Sequence, residues 1–202
     1  MLSLKDLSRT ATVPYCGREL IKDLSFAERF EYWVAATLNA RIAAARNMSY
    51  DVYESEPFPG LTFQVKAANA RAHDVIQKDI GDRAVTVRQA PTWTWAEYLD
   101  GAADMYVLFG VKDRQVYPFL APLHIWQGES TTTGKGRIMT MCSNEYSSCG
   151  RYTRSSKRNK FWQYYLPTWP DDLFRRLEYY TKTPVLDQSM LCEELVPYVV
   201  LN

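Results

Sequence analysis

Residues 49–68, SYDVYESEPFPGLTFQVKAA, constrain this chain more than any other stretch. Tyr50, Val52, Phe63 and Val65 are aromatic or β-branched strand formers, and Glu56-Pro57-Phe58-Pro59-Gly60 breaks the run between them. The stretch therefore predicts two short strands joined by a Pro-rich connection. Side chains alternate faces along a strand, so Gln64 and Lys66 point one way while Phe63 and Val65 point the other. If the strands pair, Asp51 on the first lies beside Gln64 and Lys66 on the second. An acid, an amide and an amine gathered on one face are costly to bury in a core, so their use is expected to be chemical.

The segment before this hairpin supplies a second acid. Ser25-Phe26-Ala27-Glu28 fits a capping box, in which the Ser oxygen meets the N3 amide and the Glu reaches back. Phe26, Phe30, Trp33, Val34, Thr37 and Leu38 recur at helical spacing, and Ala-rich sequence extends the expected helix to about Ala45, with Asn47 as its stop. Glu28 has a structural task in the cap. Glu31 lies at the border of the apolar stripe, near Leu38 and Ile42 on a helical projection, where a carboxylate is partly buried and needs compensation. Glu31 is thus the better candidate for a chemical role.

Asp51 is followed after twelve residues by Gln64-Val65-Lys66. This arrangement resembles the active-site hairpin of the restriction-endonuclease-like nucleases, the PD-(D/E)xK superfamily, in the variant where Gln replaces the usual acid, as in some restriction and homing endonucleases. Relatives with Gln there recruit a Glu from the preceding helix, followed by apolar residues at its third and seventh positions. Glu31 has Val34 and Leu38 in those places, whereas Glu28 has Glu31 and Ala35. The resemblance implies a metal-dependent DNA endonuclease with Asp51, Gln64, Lys66 and Glu31 as catalytic residues. It implies Mg²⁺, with Mn²⁺ as a substitute, held by Asp51, Gln64, Glu31 and the Val65 carbonyl. The implied fold class is α/β (α+β): a mixed central β-sheet flanked by helices, with a basic C-terminal extension.

The rest of the chain is read as one domain over 1–202, with a nuclease-like core at 25–125, a basic polar insertion at 128–166 and a C-terminal helix and tail at 170–202. Residues 1–24 read weakly, with Leu20, Ile21 and Leu24 suggesting a short helix or packing arm. Residues 67–80 read as helix or loop and contain His73 beside Asp74, more simply a surface His than a catalytic base. Residues 84–88 suggest a strand, and 92–99 a short helix with a Thr cap. Residues 104–111, DMYVLFGV, form a near-continuous apolar run expected of a central strand covered on both faces. Lys112-Asp113-Arg114 turns into a second strand at 115–120, which Pro118 makes either an edge strand or one broken there. Residues 138–141 and 161–166 suggest further strands. Pro170-Asp171-Asp172 opens a helix with acids at its positive end. Residues 195–201 suggest a terminal strand or a dimer contact.

Formal net charge is only +1, but its distribution is uneven. Residues 134–160 hold Lys135, Arg137, Arg151, Arg154, Lys157, Arg158 and Lys160 against the single acid Glu145, a surplus of six that leaves the remainder at minus five. These seven are the candidate DNA-contacting residues, since Lys and Arg neutralise phosphates. Sparse Cys at 16, 142, 149 and 192, with no CxxC pair, favour reduced thiols, and the stretch MLSLKDLSRT, without a basic-then-apolar signal pattern, leads to the expectation of a cytoplasmic setting. Cys142 and Cys149 are near enough in sequence to meet across a hairpin. No stretch is apolar enough to span a membrane. A nuclease with one site per chain that cuts both strands of a duplex works most simply as a homodimer. Two other readings are a nuclease-fold module that binds DNA without cutting it, and an unrelated globular interaction domain in which Asp51 and Lys66 form a surface salt bridge.

Overall fold

The computed structural model describes residues 2–15, 18–43, 49–71, 76–80, 83–87, 91–97, 103–143 and 160–182. The sequence forms a mixed α+β structure. Strands β1 (Thr10–Tyr15) and β2 (Arg18–Asp23) pair antiparallel, followed by helix α1 (Phe26–Thr37), β3 (Arg41–Ile42), β4 (Val52–Tyr53) and β5 (Phe63–Asn69). Next come the hairpin of β6 (Ile76–Ile80) and β7 (Arg83–Val87), then β8 (Thr92–Glu97), β9 (Met105–Lys112) and β10 (Gln115–Pro122). Helix α2 (Leu123–Glu129), β11 (Thr131–Thr133), β12 (Gly136–Cys142) and helix α3 (Asp171–Lys182) complete the described elements.

The central sheet has the order β10-β9-β5-β4-β3. Only β5 and β9 run parallel; the other neighbours are antiparallel. β9 is buried along nearly its whole length, as its apolar run requires of a strand covered on both faces. On one face Phe63, Val65, Val107 and Phe109 pack against Phe30 and Val34 of α1, Leu38 at its C-cap, and Leu173 and Leu177 of α3. The rings of Phe30 and Phe109 lie 4.7 Å apart. On the other face Tyr106, Leu108 and Phe119 meet Trp93 and Trp95 of β8, Met139 and Met141 of β12, and Trp126 of α2. β8 belongs to a second sheet, β11-β12-β8, laid over this face.

Ser25 and Glu28 form the expected capping box at the start of α1. The helix ends at Thr37, well before Ala45. Asn39 takes a left-handed φ of 44°, and the Ala40 amide reaches the Ala35 carbonyl at 2.9 Å, a Schellman closure that satisfies the last turn. The candidate stop at Asn47 lies outside the described residues.

Several other expectations are corrected. Residues 92–97 form a strand, not a helix: Thr92-Trp93-Thr94-Trp95 alternates at period two, both Trp side chains are buried and Thr94 is exposed. β1 and β2 pair antiparallel in the N-terminal region, and Leu20 and Ile21 of β2 are exposed rather than packed as an arm. Part of the 67–80 stretch is strand, in the end of β5 and in β6. Residues 161–166 do not form a strand, because Pro118 lacks the N–H that a full partner of β10 would need. A 3-10 turn at Lys160–Tyr164 buries Phe161, Trp162 and Tyr164, and the segment then makes one bridge, Tyr165 to Phe119. Cys142 is disulfide-bonded to a residue outside the described set, against the expectation of a reduced thiol.

The Lys112-Asp113-Arg114 turn, the edge position of β10, the strand at 138–141 and helix α3 are found as expected. The strand at 84–88 appears as β7, displaced by one residue. His73, Asp74 and residues 195–201 lie outside the described residues.

Candidate active site

β4 is only two residues long, and its pairing with β5 begins and ends at Val52 opposite Phe63. Asp51, just before it, is held from both sides: its N–H donates to the Phe63 carbonyl at 2.9 Å, and its carbonyl accepts from Ala43 at 2.8 Å. Beyond Phe63 the β4-side edge of β5 has no strand partner among the described residues. The Asp51 side chain fills that place, with Oδ2 accepting from the Val65 N–H at 2.7 Å and from Gln64 Nε2. Backbone groups alternate sides along a strand, so the Val65 carbonyl shares this free edge with the Val65 N–H.

The register of β5 fixes the remaining groups. Phe63 and Val65 enter the core beneath α1, while Gln64 and Lys66 lie beside Tyr106 and Leu108 on β9, toward the second sheet. Gln64 is buried and Lys66 partly so. Glu31, three residues after Glu28 on α1, is half-buried and makes no hydrogen bond or ion pair among the described residues. Burial, reinforced by the neighbouring Asp51 charge, pushes its carboxyl up from 4.5 to about 7, with Lys66 pulling the other way. Burial also raises Asp51, against the Val65 N–H and the Lys66 charge. Glu28 behaves oppositely: Lys22 and the Ser25 cap hold it at about 2. Of the two helix acids, Glu31 is the one whose electrostatics join it to Asp51 and Lys66.

Among the described residues no group of three or more His, Cys, Asp and Glu gathers as a metal cage. The donor set is of another kind. Asp51 Oδ1, Gln64 Oε1 and both Glu31 oxygens have no hydrogen-bond partner among the described residues, and none is sealed from solvent. With the Val65 carbonyl they make an all-oxygen set with two carboxylates. This suits a hard divalent ion, which keeps several waters and needs few protein ligands. Two desolvated carboxylates repelling one another are also a charge pattern that a cation relieves.

One acid of this neighbourhood was not singled out from the sequence. Glu97, at the end of β8, is 5% exposed, and its oxygens accept from Tyr106 Oη at 3.0 Å and Trp126 Nε1 at 2.9 Å. It continues the inward face of Trp93 and Trp95 at period two, the signal by which it was legible.

Of the seven basic candidates, Lys135 is exposed in the turn between β11 and β12. Arg137 is half-buried, its guanidinium donating to the Gln127 carbonyl at 3.1 Å and Ser130 Oγ at 3.4 Å. Arg151, Arg154, Lys157 and Arg158, and the side chain of Lys160, lie outside the described residues. No helix among the described residues is long and apolar enough to cross a membrane.

No protein-family model matches the chain, and no curated protein does. Among solved structures it is similar to a bacterial homing endonuclease, I-Ssp6803I, with 11% identity and a TM-score of 0.41 over 78% of this chain and 92% of that one.

Proposed function

We propose that this chain is a divalent-cation-dependent DNA endonuclease of restriction or homing type. The observation that carries the reading is the junction of β4 and β5. Asp51 binds Gln64 and the Val65 N–H there, beside a half-buried Glu31 driven to about 7. A structural salt bridge would show Asp51 paired with Lys66. Instead Lys66 makes no hydrogen bond or ion pair among the described residues, and Glu31 likewise stands unpaired there.

Asp51 Oδ1, Glu31, Gln64 Oε1 and the Val65 carbonyl would hold Mg²⁺ or Mn²⁺. When bound, the ion lowers the pKa of a water and neutralises phosphate oxygens. The chain's own groups do the rest. Gln64 and the Val65 N–H fix the rotamer of Asp51, so one carboxylate oxygen is committed to the fold and the other faces the site. Lys66 meets the reacting phosphate, offsets its growing charge and orients the attacking water. Glu31, raised to about 7 by burial and the Asp51 charge, holds or releases a proton near neutrality, and its ionised form would be a second carboxylate ligand. Gln64, being neutral, binds the ion less strongly than a carboxylate would, so affinity rests on Asp51 and Glu31.

Lys135, Arg137, Arg151, Arg154, Lys157, Arg158 and Lys160 provide phosphate contacts, and a homodimer would place one site on each strand. Plasmid, nicked and branched DNA incubated with Mg²⁺, Ca²⁺ or EDTA tests the reading. Cleavage in Mg²⁺ and none in EDTA is expected. Tight DNA binding without cleavage in any condition would replace it with a non-catalytic DNA-binding module.

A further inference from the structure

Glu97 is a carboxylate in an almost wholly buried position whose two hydrogen-bond donors, Tyr106 and Trp126, are both neutral. Buried carboxylates call for a cation. Arg137 faces Glu97 in register across β8 and β12, but its Nη1 donates to the Gln127 carbonyl and Ser130 Oγ, and no ion pair joins it to Glu97 among the described residues. Burial, the largest influence, pushes the Glu97 carboxyl up and the Asp51 charge adds to it, while the Trp126 and Tyr106 hydrogen bonds and the charge of Lys66 favour the ionised form.

Backbone geometry sets this relation independently. Arg71, just past the end of β5, and Thr92, at the start of β8, exchange both backbone hydrogen bonds, 2.9 and 3.0 Å. Lys66 on β5 and Glu97 on β8 each lie five residues from that bridge, on strands that pack against one another. Trp93 and Trp95 hold β8 in place by donating to the Val111 and Phe109 carbonyls of β9, both at 3.1 Å. Tyr106, the donor to both Glu97 oxygens, lies beside Gln64 in the parallel register. The ring of Tyr106 stacks on Trp126 at 4.8 Å and 10°, so both donors form one rigid plate.

We propose that Glu97 is a positioning residue for Lys66, a fixed negative charge at the inner end of the cluster that orients the ammonium toward the reacting phosphate. The proposal rests on the nuclease reading and adds a residue to it. No ion pair joins the two side chains, and the Lys66 hydrogens stay available for phosphate and water. Asp51 and Glu31 attract the same ammonium from the cation side. Glu97 supplies the opposing pull that keeps it from collapsing onto them once the site is empty.

Two readouts test this. In protein labelled at lysine Cε and Nζ, the Lys66 resonance is assigned by its loss in Lys66→Arg. Glu97→Gln should move it to the position of solvent-exposed lysines, Glu97→Asp should keep it displaced, and Tyr106→Phe should shift it part of the way. On DNA with Mg²⁺, Glu97→Gln should lower kcat about tenfold with KM little changed, because orientation of a reacting group is impaired rather than substrate binding. Glu97→Asp should recover part of that activity. An unmoved Lys66 resonance and parental kcat in folded Glu97→Gln, with only Tm reduced, would make Glu97 a structural acid and overturn the proposal. If the parent cuts no DNA, the nuclease reading fails. The resonance then still decides whether Glu97 orients Lys66.

Discussion

Replacing Glu31 with Gln should make the cation-free protein more stable at alkaline pH, although it removes a candidate ligand. The folded-state carboxyl sits at about 7 against an ordinary 4.5, chiefly through burial and secondarily through Asp51. A carboxyl raised in the folded state binds more protons folded than unfolded between those values, so stability falls as pH rises through that window and stays lowered above about 7. Taken whole, the displacement corresponds to about 3 kcal/mol. Water still reaches the half-buried group, which reduces the expected penalty to about 1–2 kcal/mol. Gln keeps the shape and has no charge to desolvate. Urea denaturation in EDTA should therefore show Glu31→Gln more stable than the parent by that amount at about pH 8.5, with the difference fading toward about pH 4. Millimolar Mg²⁺ should reverse the ranking, because binding to the folded state stabilises the parent more. A variant less stable than the parent at alkaline pH, or a difference independent of pH, would show that Glu31 is not a desolvated acid beside Asp51.

Gln64→Glu places a third carboxylate against Asp51, so it should lower Tm in EDTA and raise affinity for Mg²⁺ or Mn²⁺, measured by calorimetry; an unchanged Tm would mean that residue 64 does not face Asp51. Gly110→Ala should cost about 1–3 kcal/mol in urea denaturation by overpacking. A Cβ there would stand 2.4 Å from the fully buried Trp93 ring, which its bond to Val111 keeps from sliding away. Parental stability would refute the close seating of β8 on β9. Replacing Arg154, Lys157 and Arg158 together with Ala should flatten the salt dependence of DNA binding, by about 0.9 in slope for each phosphate no longer neutralised. An unchanged slope would leave Lys135 and Arg137 as the next candidates.

Features with short-range causes were legible in the sequence. The capping box of α1, the Asp113-Arg114 turn, the double-sided burial of β9 and the edge placement of β10 follow from residue types and spacing alone. The neighbourhood of Asp51, Gln64 and Lys66 was legible for the same reason, since alternation along β5 and a short connection nearly fix it. What escaped depends on tertiary contacts. Thr92 resembles a helix cap until the partners of Trp93 and Trp95, the β9 carbonyls and Gly110, are known. Ala-rich sequence after Leu38 favours helix, but a Schellman closure at Asn39 turns the chain back toward β3 and β4. The aromatic run at 161–166 has strand propensity, yet the edge it meets carries Pro118. Glu97 was hidden by the same misreading of β8, because a carboxylate in a surface helix asks for no partner and one in a buried strand does.

The most direct measurement is cleavage of plasmid and branched DNA in Mg²⁺ by the parent, Asp51→Asn and Lys66→Ala, with DNA binding followed in Ca²⁺. Asp51→Asn keeps side-chain size while removing the charge that would hold the cation. Lys66→Ala removes the group that would meet phosphate and water without touching a proposed ligand. The parent should cut in Mg²⁺ and fail in EDTA. Both variants should bind DNA nearly as the parent does and cut it at least about a hundredfold more slowly, the scale of removing one preorganised group at developing charge. Variants that cut as fast as the parent would remove the β4–β5 junction from the chemistry altogether.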